Sequence, residues 1–305
     1  MGRFISRVII VGVGLIGGSV GLALKKRELA NNVIGVDSSG NCLDSALRIG
    51  AIDRVAVDLE DALGSISDSI DYESEGEIYR KSSRKHLSKL LVICTPVGNV
   101  TQTILKAVEL IGDRPLLVTD VGSTKHDIQI SLHEKLPKNV RYIGSHPIAG
   151  SEKSGPQFAD ADLFAGKLTV LTPTEKCATN DIAFLEHFWN LLGSSVVQIP
   201  AKRHDSILAR TSHLPHLISS LLVKSLTIGD HIMVGSGFRS TTRLASGDPT
   251  VWADVFLSNK DAILEAITGF EKQLDQFRTL LSDDNHEGIK NLLGRIKKHR
   301  DALEK

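Results

Sequence analysis

The stretch RVIIVGVGLIGGSVGLAL, residues 7–24, decides the fold of the N-terminal half of the chain. A run of β-branched residues leads into Gly12, and an apolar segment follows Gly17. A strand, a GxGxxG turn and a helix in this order form the first unit of a dinucleotide-binding fold. Gly12 permits the tight turn, Gly14 lets a pyrophosphate approach the backbone, and Gly17 lets the helix pack closely on the strand.

The residues that follow this turn predict which dinucleotide is bound. Leu15 and Ile16 open the helix, whose unpaired N–H groups and positive dipole end favour a pyrophosphate. Asp37 ends the next predicted strand, where a carboxylate accepts hydrogen bonds from the adenosine ribose and repels a 2′-phosphate. Ser38 and Ser39 occupy positions at which a bound phosphate would favour basic residues. We therefore predict NAD, rather than NADP, as the cofactor.

Short β-branched runs alternate with amphipathic stretches from residue 7 to about residue 199. This pattern is typical of βαβ units that build a doubly wound parallel sheet. The charged segment 71–85 interrupts it and is predicted to be a solvated surface insertion. The predicted strands are Arg7-Val11, Val33-Val36, Leu90-Cys94, Leu116-Thr119, Arg141-Ile143, Leu168-Leu171 and Val196-Ile199.

Beyond Pro200 the strand pattern disappears, and helical patterns cover residues 203–228, 250–281 and 285–303. The middle pattern carries an apolar stripe of the coiled-coil type, which needs a partner surface. We predict a Rossmann-type dinucleotide-binding domain over residues 1–199 and a helical substrate-binding and dimerisation domain over residues 200–305. We also expect a homodimer to form through the stripe, which comprises Phe256, Ile263, Ile267, Phe270, Leu274, Phe277 and Leu281.

The composition argues against several kinds of partner. Basic and acidic residues number 36 each, so neither nucleic acid nor an anionic membrane is predicted to bind. The three cysteines form no CxxC pair, which argues against a disulfide framework and favours a cytoplasmic location. His213 and His216 lie on one helical face, but no third ligand has a suitable spacing, so no metal is predicted.

Polar clusters follow three of the predicted strands and are expected beside the nicotinamide, because ligands bind at the carboxyl ends of such strands. Thr95 and Pro96 follow one strand and are predicted to contact the cofactor. Ser123 lies in the cluster DVGSTK, residues 120–125, and is placed to hydrogen-bond both a substrate hydroxyl and an imidazole. His146 follows a third strand, where it can accept the proton as a hydroxyl-bearing carbon gives up hydride.

Together these motifs resemble the prephenate/arogenate dehydrogenase family, and the resemblance covers nearly the whole chain. The most specific string is HPIAGSEKSG, residues 146–155. The others are GVGLIGGS at 12–19, DVGSTK at 120–125, SHLPH at 212–216 and GFRSTTRLA at 237–245, with Asp248, Pro249 and Trp252. The resemblance implies a dinucleotide-binding domain and a helical dimerisation domain, in agreement with the division drawn from periodicity.

The resemblance also implies roles for individual residues. His146 is expected to bind the ring hydroxyl of the substrate and assist its deprotonation, with support from Ser123. Arg243 is expected to pair with the ring carboxylate, for which a guanidinium offers two parallel hydrogen bonds, and His216 to contact the substrate side chain. Three further residues resemble positions that gate, brace or close the pocket: Glu152, Asp205 and Trp252.

The reaction implied is the oxidative decarboxylation of prephenate to 4-hydroxyphenylpyruvate with reduction of NAD, in tyrosine biosynthesis. Arogenate is the alternative substrate, and feedback inhibition by tyrosine is expected because the product resembles the substrate. A β-hydroxyacid dehydrogenase would lack the HPIAGSEKSG string. A non-catalytic NAD-sensing protein would have lost Ser123, His146 or Arg243, and all three are present.

Overall fold

The computed structural model describes residues 5–64, 89–151 and 153–303. The charged segment 71–85 and Glu152 lie outside the described residues, so the predictions made for them stay predictions. Within the described ranges, no helix is both long and apolar enough to cross a membrane.

Six parallel strands form the main sheet, in the order β3-β2-β1-β4-β5-β6. This order reverses beside β1, where dinucleotides bind in folds of this kind, and it confirms the predicted Rossmann-type sheet. The strands are β1 (Ile5–Val11), β2 (Ala30–Val36), β3 (Arg54–Val55), β4 (Lys89–Ile93), β5 (Leu116–Asp120) and β6 (Val140–Tyr142). The helices among them are α1 (Leu15–Lys26), α2 (Gly40–Arg48), α3 (Leu59–Gly64), α4 (Val97–Ile111) and α5 (His126–Leu132).

The core lies on both faces of this sheet because side chains alternate along each buried strand. Val8 and Ile10 of β1 join the cluster that includes Trp189. Ile9 and Val11 join the cluster on the other face. Strands that are buried on both faces explain the continuous apolar runs in the sequence.

A second sheet of three strands corrects the prediction that residues 168–171 and 196–199 extend the main sheet. It consists of β7 (Gly144–Pro147), β8 (Leu168–Thr172) and β9 (Ser195–Gln198), with α6 (Thr179–Leu191) between β8 and β9. β7 pairs with β8 in the antiparallel direction, whereas β8 pairs with β9 in parallel. The chain turns at Ile143, directly after β6, so the predicted polar cluster around His146 is itself a strand of this sheet.

The C-terminal half is helical, but two predicted helices differ in detail. The first pattern contains a π-helical turn over residues 209–213 and ends at Lys224. The middle pattern breaks at Asn259, whose side chain donates a hydrogen bond to the backbone oxygen of Asp205. The helices are α7 (Ala201–Leu208), α8 (Leu214–Lys224), α9 (Ser236–Thr242), α10 (Pro249–Ser258), α11 (Lys260–Ser282) and α12 (His286–Ala302).

Candidate active site

The three glycines of the turn between β1 and α1 meet different surroundings. Gly12 has φ +91°, and a Cβ there would lie 2.7 Å from the carbonyl carbon of Cys94. A Cβ on Gly17 would lie 2.0 Å from the backbone oxygen of Gly12. A Cβ on Gly14 would meet nothing within 4 Å. Packing therefore requires glycine at positions 12 and 17, whereas Gly14 leaves an open surface that a ligand can approach.

Asp37 stands at the end of β2, next to this turn. One carboxylate oxygen accepts a hydrogen bond from the backbone N–H of Val13 at 2.9 Å, and the other accepts one from Ser39 at 2.9 Å. A carboxylate offers about four lone-pair positions, so it can still accept bonds from a ribose. Asp37 also lines a pocket of about 270 Å³, together with Val11, Val36, Ser38, Val57, Asp58, Leu59, Thr103 and Lys106.

The other predicted cofactor residues lie close to this turn. Leu15 and Ile16 begin α1, which has no side-chain cap hydrogen bond at its N-terminus. Pro96 directly precedes α4. The Thr95 hydroxyl is buried and has no hydrogen-bond partner within the described residues. A buried hydroxyl without a partner carries an energetic cost, so a ligand that bonds Thr95 here would relieve it.

A buried ion pair fixes the conformation of the DVGSTK loop. The Lys125 ammonium bonds the Asp120 carboxylate, and both side chains are fully buried. Tyr142 donates a hydrogen bond to Asp120 at 2.7 Å, and the Gly122 N–H donates another at 2.8 Å. Burial lowers the pKa of Lys125 from its ordinary value, while Asp120 opposes that shift. Ser123 lies within the loop that this network holds.

Contacts from the helical half hold the same loop from the other side. Asp205 of α7 accepts hydrogen bonds from the backbone N–H groups of Lys125 at 2.9 Å and His126 at 2.8 Å. Thr124 donates a hydrogen bond to the Ser258 hydroxyl at 2.9 Å. The loop that carries Ser123 is therefore fixed by residues from both halves of the chain.

His146 lies in β7, opposite Val170 of β8, and faces a second histidine. Its Nδ1 is 2.8 Å from Nε2 of His204, whose Nδ1 is 2.6 Å from the Asp205 carboxylate. Nδ1 of His146 thus pairs with His204 and not with Ser123, so the predicted bond from Ser123 to the imidazole is not among those of the described residues. The predicted role of Ser123 stays a prediction.

The surroundings of His146 oppose its protonation. Burial is the largest cause that lowers its pKa well below the ordinary 6.5, followed by the nearby His204, Lys125 and His213. The imidazole is therefore neutral at pH 7, as a general base must be. Because Nδ1 is engaged by His204, Nε2 is the nitrogen left for a substrate hydroxyl.

Arg243, His216 and Trp252 are brought together in the helical half. The rings of His216 and Trp252 stack with centroids 3.4 Å apart. Arg243, which directly follows α9, lies close enough to His216 to lower its pKa, although burial is the larger cause. His213 packs edge-on against the other side of this group, with its centroid 6.2 Å from that of Trp252. A cation, an imidazole and an aromatic ring thus share one surface.

Three buried residues of this site were missed or underrated by sequence reasoning. His204 had no recognisable motif, because a histidine on a helix gives no sign of which partner it meets. Asn259 donates a hydrogen bond to Nδ1 of His213 at 3.0 Å and interrupts a pattern that otherwise looks like one helix. His213 was assigned no catalytic or binding role, yet its Nε2 is buried and unpartnered in the described part of the chain. No group of three or more potential metal ligands occurs within residues 5–64, 89–151 and 153–303.

Comparison with known proteins identifies the family of both halves of the chain. A family model described as prephenate dehydrogenase, nucleotide-binding domain, matches residues 74–198. A model described as prephenate dehydrogenase, dimerization domain, matches residues 200–295. The glycine turn lies before the first match, so its assignment depends on the contacts described above and on relatives that align over the full chain.

Such relatives exist among proteins and solved structures. The prephenate dehydrogenase of Lactococcus lactis is 30% identical over 308 residues, which cover 98% of this chain and 77% of that protein. A crystal structure of prephenate dehydrogenase from Aquifex aeolicus, in complex with hydroxyphenyl propionate and NAD+, is 28% identical, with a TM-score of 0.85 over 98% of each chain. Synechocystis arogenate dehydrogenase is 26% identical, with a TM-score of 0.77 over 97% of this chain and 99% of that chain.

These matches confirm the family resemblance that the sequence motifs carried. They extend over both halves of the chain, and the C-terminal match adds that the helical half contains a dimerization domain. The chain therefore belongs to the prephenate dehydrogenase family and is an oxidoreductase.

Proposed function

We propose that this protein oxidises and decarboxylates prephenate to 4-hydroxyphenylpyruvate, with NAD as the hydride acceptor. The observation that carries the proposal is a neutral His146 whose Nε2 remains available, at the junction of the two halves. The loop after β7 reaches the cofactor turn, since a Cβ on Gly150 would lie 3.6 Å from the side chain of Ile16. The strand that carries the base therefore leads into a loop that lies against the start of α1.

The residues present fit the predicted cofactor. Gly14 leaves room for a pyrophosphate, the first turn of α1 supplies N–H groups at Leu15 and Ile16, and Asp37 can accept bonds from a ribose. Thr95 offers a hydroxyl that lacks a partner within the described ranges. When bound, NAD accepts the hydride released by the hydroxyl-bearing ring carbon.

The chain's own residues supply positioning and one proton transfer. His146 takes the proton from the ring hydroxyl through Nε2, a contribution of about 10²–10⁴-fold for a positioned base. The Arg243 guanidinium binds a carboxylate of the substrate. The stacked rings of His216 and Trp252 contact the rest of the substrate. As the carbonyl forms, it accepts the electrons that the departing carboxylate releases, and the phenolate oxygen that results takes back the proton held by His146, so loss of carbon dioxide requires no further group.

The test measures NADH formation at 340 nm with purified protein, NAD, and prephenate or arogenate in parallel. We expect turnover of prephenate, and a fall in kcat of about 10²–10⁴-fold in His146→Asn. His286→Asn is the matched control, because the His286 side chain is 86% exposed in the last helix and should leave the rate unchanged. Turnover of arogenate alone would assign the alternative substrate, which the arogenate dehydrogenase of Synechocystis makes a specific candidate.

The pH dependence of the same reaction gives a second test. Because the pKa of His146 is lowered, the rate should stay high as pH falls through 6.5 and decline only well below it. A fall in rate centred at the ordinary histidine pKa would contradict this proposal. So would an acidic limb of the pH–rate profile that is unchanged in His146→Asn.

Four further features belong to this proposal. A homodimer through the stripe is supported by Leu274 and Leu281, which are 48% and 55% exposed although they continue the row of the buried Ile263. A division between residues 199 and 200 is supported by the last strand, which ends at Gln198.

Tyrosine is proposed to compete with the substrate, which inhibition kinetics would test. A cytoplasmic location is supported by three unpaired cysteines.

A further inference from the structure

Two residues that follow the last strand bear directly on the chemistry of His146. His204 and Asp205 are adjacent in α7, in the helical half, whereas His146 lies in β7. The Asp205 carboxylate is 2.6 Å from Nδ1 of His204, and Nε2 of His204 is 2.8 Å from Nδ1 of His146. His204 is fully buried and Asp205 is 3% exposed. We call these three residues the His–His–Asp network.

The positions of the hydrogens in this network follow from its one fixed acceptor. Asp205 already accepts hydrogen bonds from two backbone N–H groups, those of Lys125 and His126. Because both oxygens already act as acceptors, Asp205 is the acceptor towards His204 as well, and Nδ1 of His204 donates to it. In a neutral His204, Nε2 then carries a lone pair and accepts a hydrogen bond from Nδ1 of His146. The remaining nitrogen of His146, Nε2, is left without a hydrogen.

We propose that His204 and Asp205 are positioning residues, which hold His146 in the tautomer whose unprotonated Nε2 faces the substrate hydroxyl. This inference rests on the proposed function, in which His146 acts as the base. The partner of one ring nitrogen sets which nitrogen carries the proton, and the wrong tautomer cannot act as a base at the substrate. Because the network joins α7 to β7, the base has its active tautomer only when the two halves of the chain are docked.

The other charged and titratable groups near His146 do not supply this function. Lys125 and His213 also face His146, but Lys125 is paired with Asp120 and His213 with Asn259. Nδ1 of His146 bonds only His204 within the described ranges of the chain. The tautomer is therefore set through His204.

A direct test determines the tautomer by NMR on full-length protein in which the histidines are labelled with ¹⁵N. A ring nitrogen that carries hydrogen and one with a lone pair have different ¹⁵N shifts, and the His146 signals are assigned by their loss in His146→Asn. We expect hydrogen on Nδ1 and none on Nε2 at pH 7. Hydrogen on Nε2 would overturn the proposal. This measurement does not require turnover, so it remains informative if neither acid is a substrate.

Steady-state kinetics of matched variants test whether His204 and Asp205 control the rate of the reaction. Asp205→Asn replaces one of the two acceptor oxygens by an NH₂ group. When this group faces Nδ1 of His204, the shorter bond from the Lys125 N–H to Oδ1 is lost, while the amide oxygen at the Oδ2 position can still accept from Lys125 and His126. The hydrogen bonds from Asp205 to His204 and from His204 to His146 are then reversed. We expect kcat to fall by about 10²-fold or more, within the range for loss of a base, with the Kd for NAD unchanged. His204→Gln keeps an acceptor for His146 and a donor for Asp205, so it should retain most of the kcat that His204→Phe loses.

A double-variant cycle separates positioning from a purely structural role. If Asp205 acts through His146, Asp205→Asn should lower kcat by less than about twofold once His146→Asn is present, because residues that act as a unit are not additive. Equal fold losses in both backgrounds would overturn the proposal, as would equal activities of His204→Gln and His204→Phe. If Asp205→Asn does not fold, two other results still test the proposal. They are the comparison of His204→Gln with His204→Phe and the tautomer of His146 in the unaltered protein.

Discussion

The cofactor end and the chemical end of the candidate site are constructed in different ways. The cofactor end uses mainly one β1–α1–β2 unit, in which Gly14 is open and Asp37 bonds a residue only 24 positions away in sequence, and adds Thr95 from the neighbouring strand end. The chemical end uses side chains from both halves. His146 meets His204 across 58 positions, and Asp205 meets Lys125 across 80.

This difference determines how strongly each end of the site depends on contacts between the two halves of the chain. A site made of local backbone geometry is preserved as long as one βαβ unit folds. A site made of buried polar side chains depends on the docking of two halves, and each buried polar group is costly if its partner is lost.

Lys125→Met should be the most damaging change, because it breaks the chemical end. It leaves the fully buried Asp120 carboxylate without its cation, and removal of one partner of a buried pair typically costs about 3–5 kcal/mol. The free energy of unfolding in urea measures the loss. The double variant Asp120→Asn/Lys125→Met should recover part of it. Equal losses in the single and double variants would contradict the role of the pair.

Gly17→Ala and Gly14→Ala should separate packing from ligand binding at the cofactor end. The new methyl group clashes with the backbone at position 17, so unfolding free energy should fall by about 1–3 kcal/mol. At position 14 nothing lies within 4 Å, so stability should change by less than about 0.5 kcal/mol. The Kd for NAD, measured by calorimetry, should nevertheless rise at least about tenfold in Gly14→Ala. Unaltered NAD binding there would show that the pyrophosphate does not use this turn.

Asp37→Ser should change cofactor selectivity at the same end. Loss of the carboxylate removes the repulsion of a 2′-phosphate, and Lys106 lines the same pocket as a possible counter-charge. We expect the ratio of kcat/KM for NADP to that for NAD to rise about tenfold, equivalent to about 1.4 kcal/mol. The double variant Asp37→Ser/Lys106→Met should reverse much of this gain. An unchanged ratio would show that Asp37 does not select the cofactor.

The loss of folding stability at acid pH should originate in part from His213, at the chemical end of the site. Burial is the main cause that lowers the pKa of His213 from 6.5 to about 4. Between these values the unfolded chain binds the proton and the folded chain does not, so stability falls as pH falls from 6.5 towards 4. Each such proton contributes about 1.4 kcal/mol per pH unit. In His213→Gln the slope of unfolding free energy against pH should decrease by this amount, whereas His286→Gln should leave it unchanged.

Sequence patterns predicted the main sheet well because its signals are local. A GxGxxG turn, an apolar run and an acidic residue at the end of β2 need no information about distant residues. The three-stranded sheet was not predicted, because β8 and β9 look like strands of any parallel sheet and β7, with the sequence GSHP, was interpreted as a polar cluster that follows a strand. The break at Asn259 escaped detection for a similar reason, because the helical period continues on both sides.

The amino-acid sequence by itself determined the Rossmann-type sheet, the helical C-terminal half, the family and the choice of His146 as the candidate base. These follow from periodicity and from motifs whose residues are close in the chain. Only the tertiary structure decided what surrounds that base. The burial that keeps His146 neutral, and the approach of His204 and Asp205 that orients its ring, arise from contacts between residues distant in sequence, which no local pattern encodes.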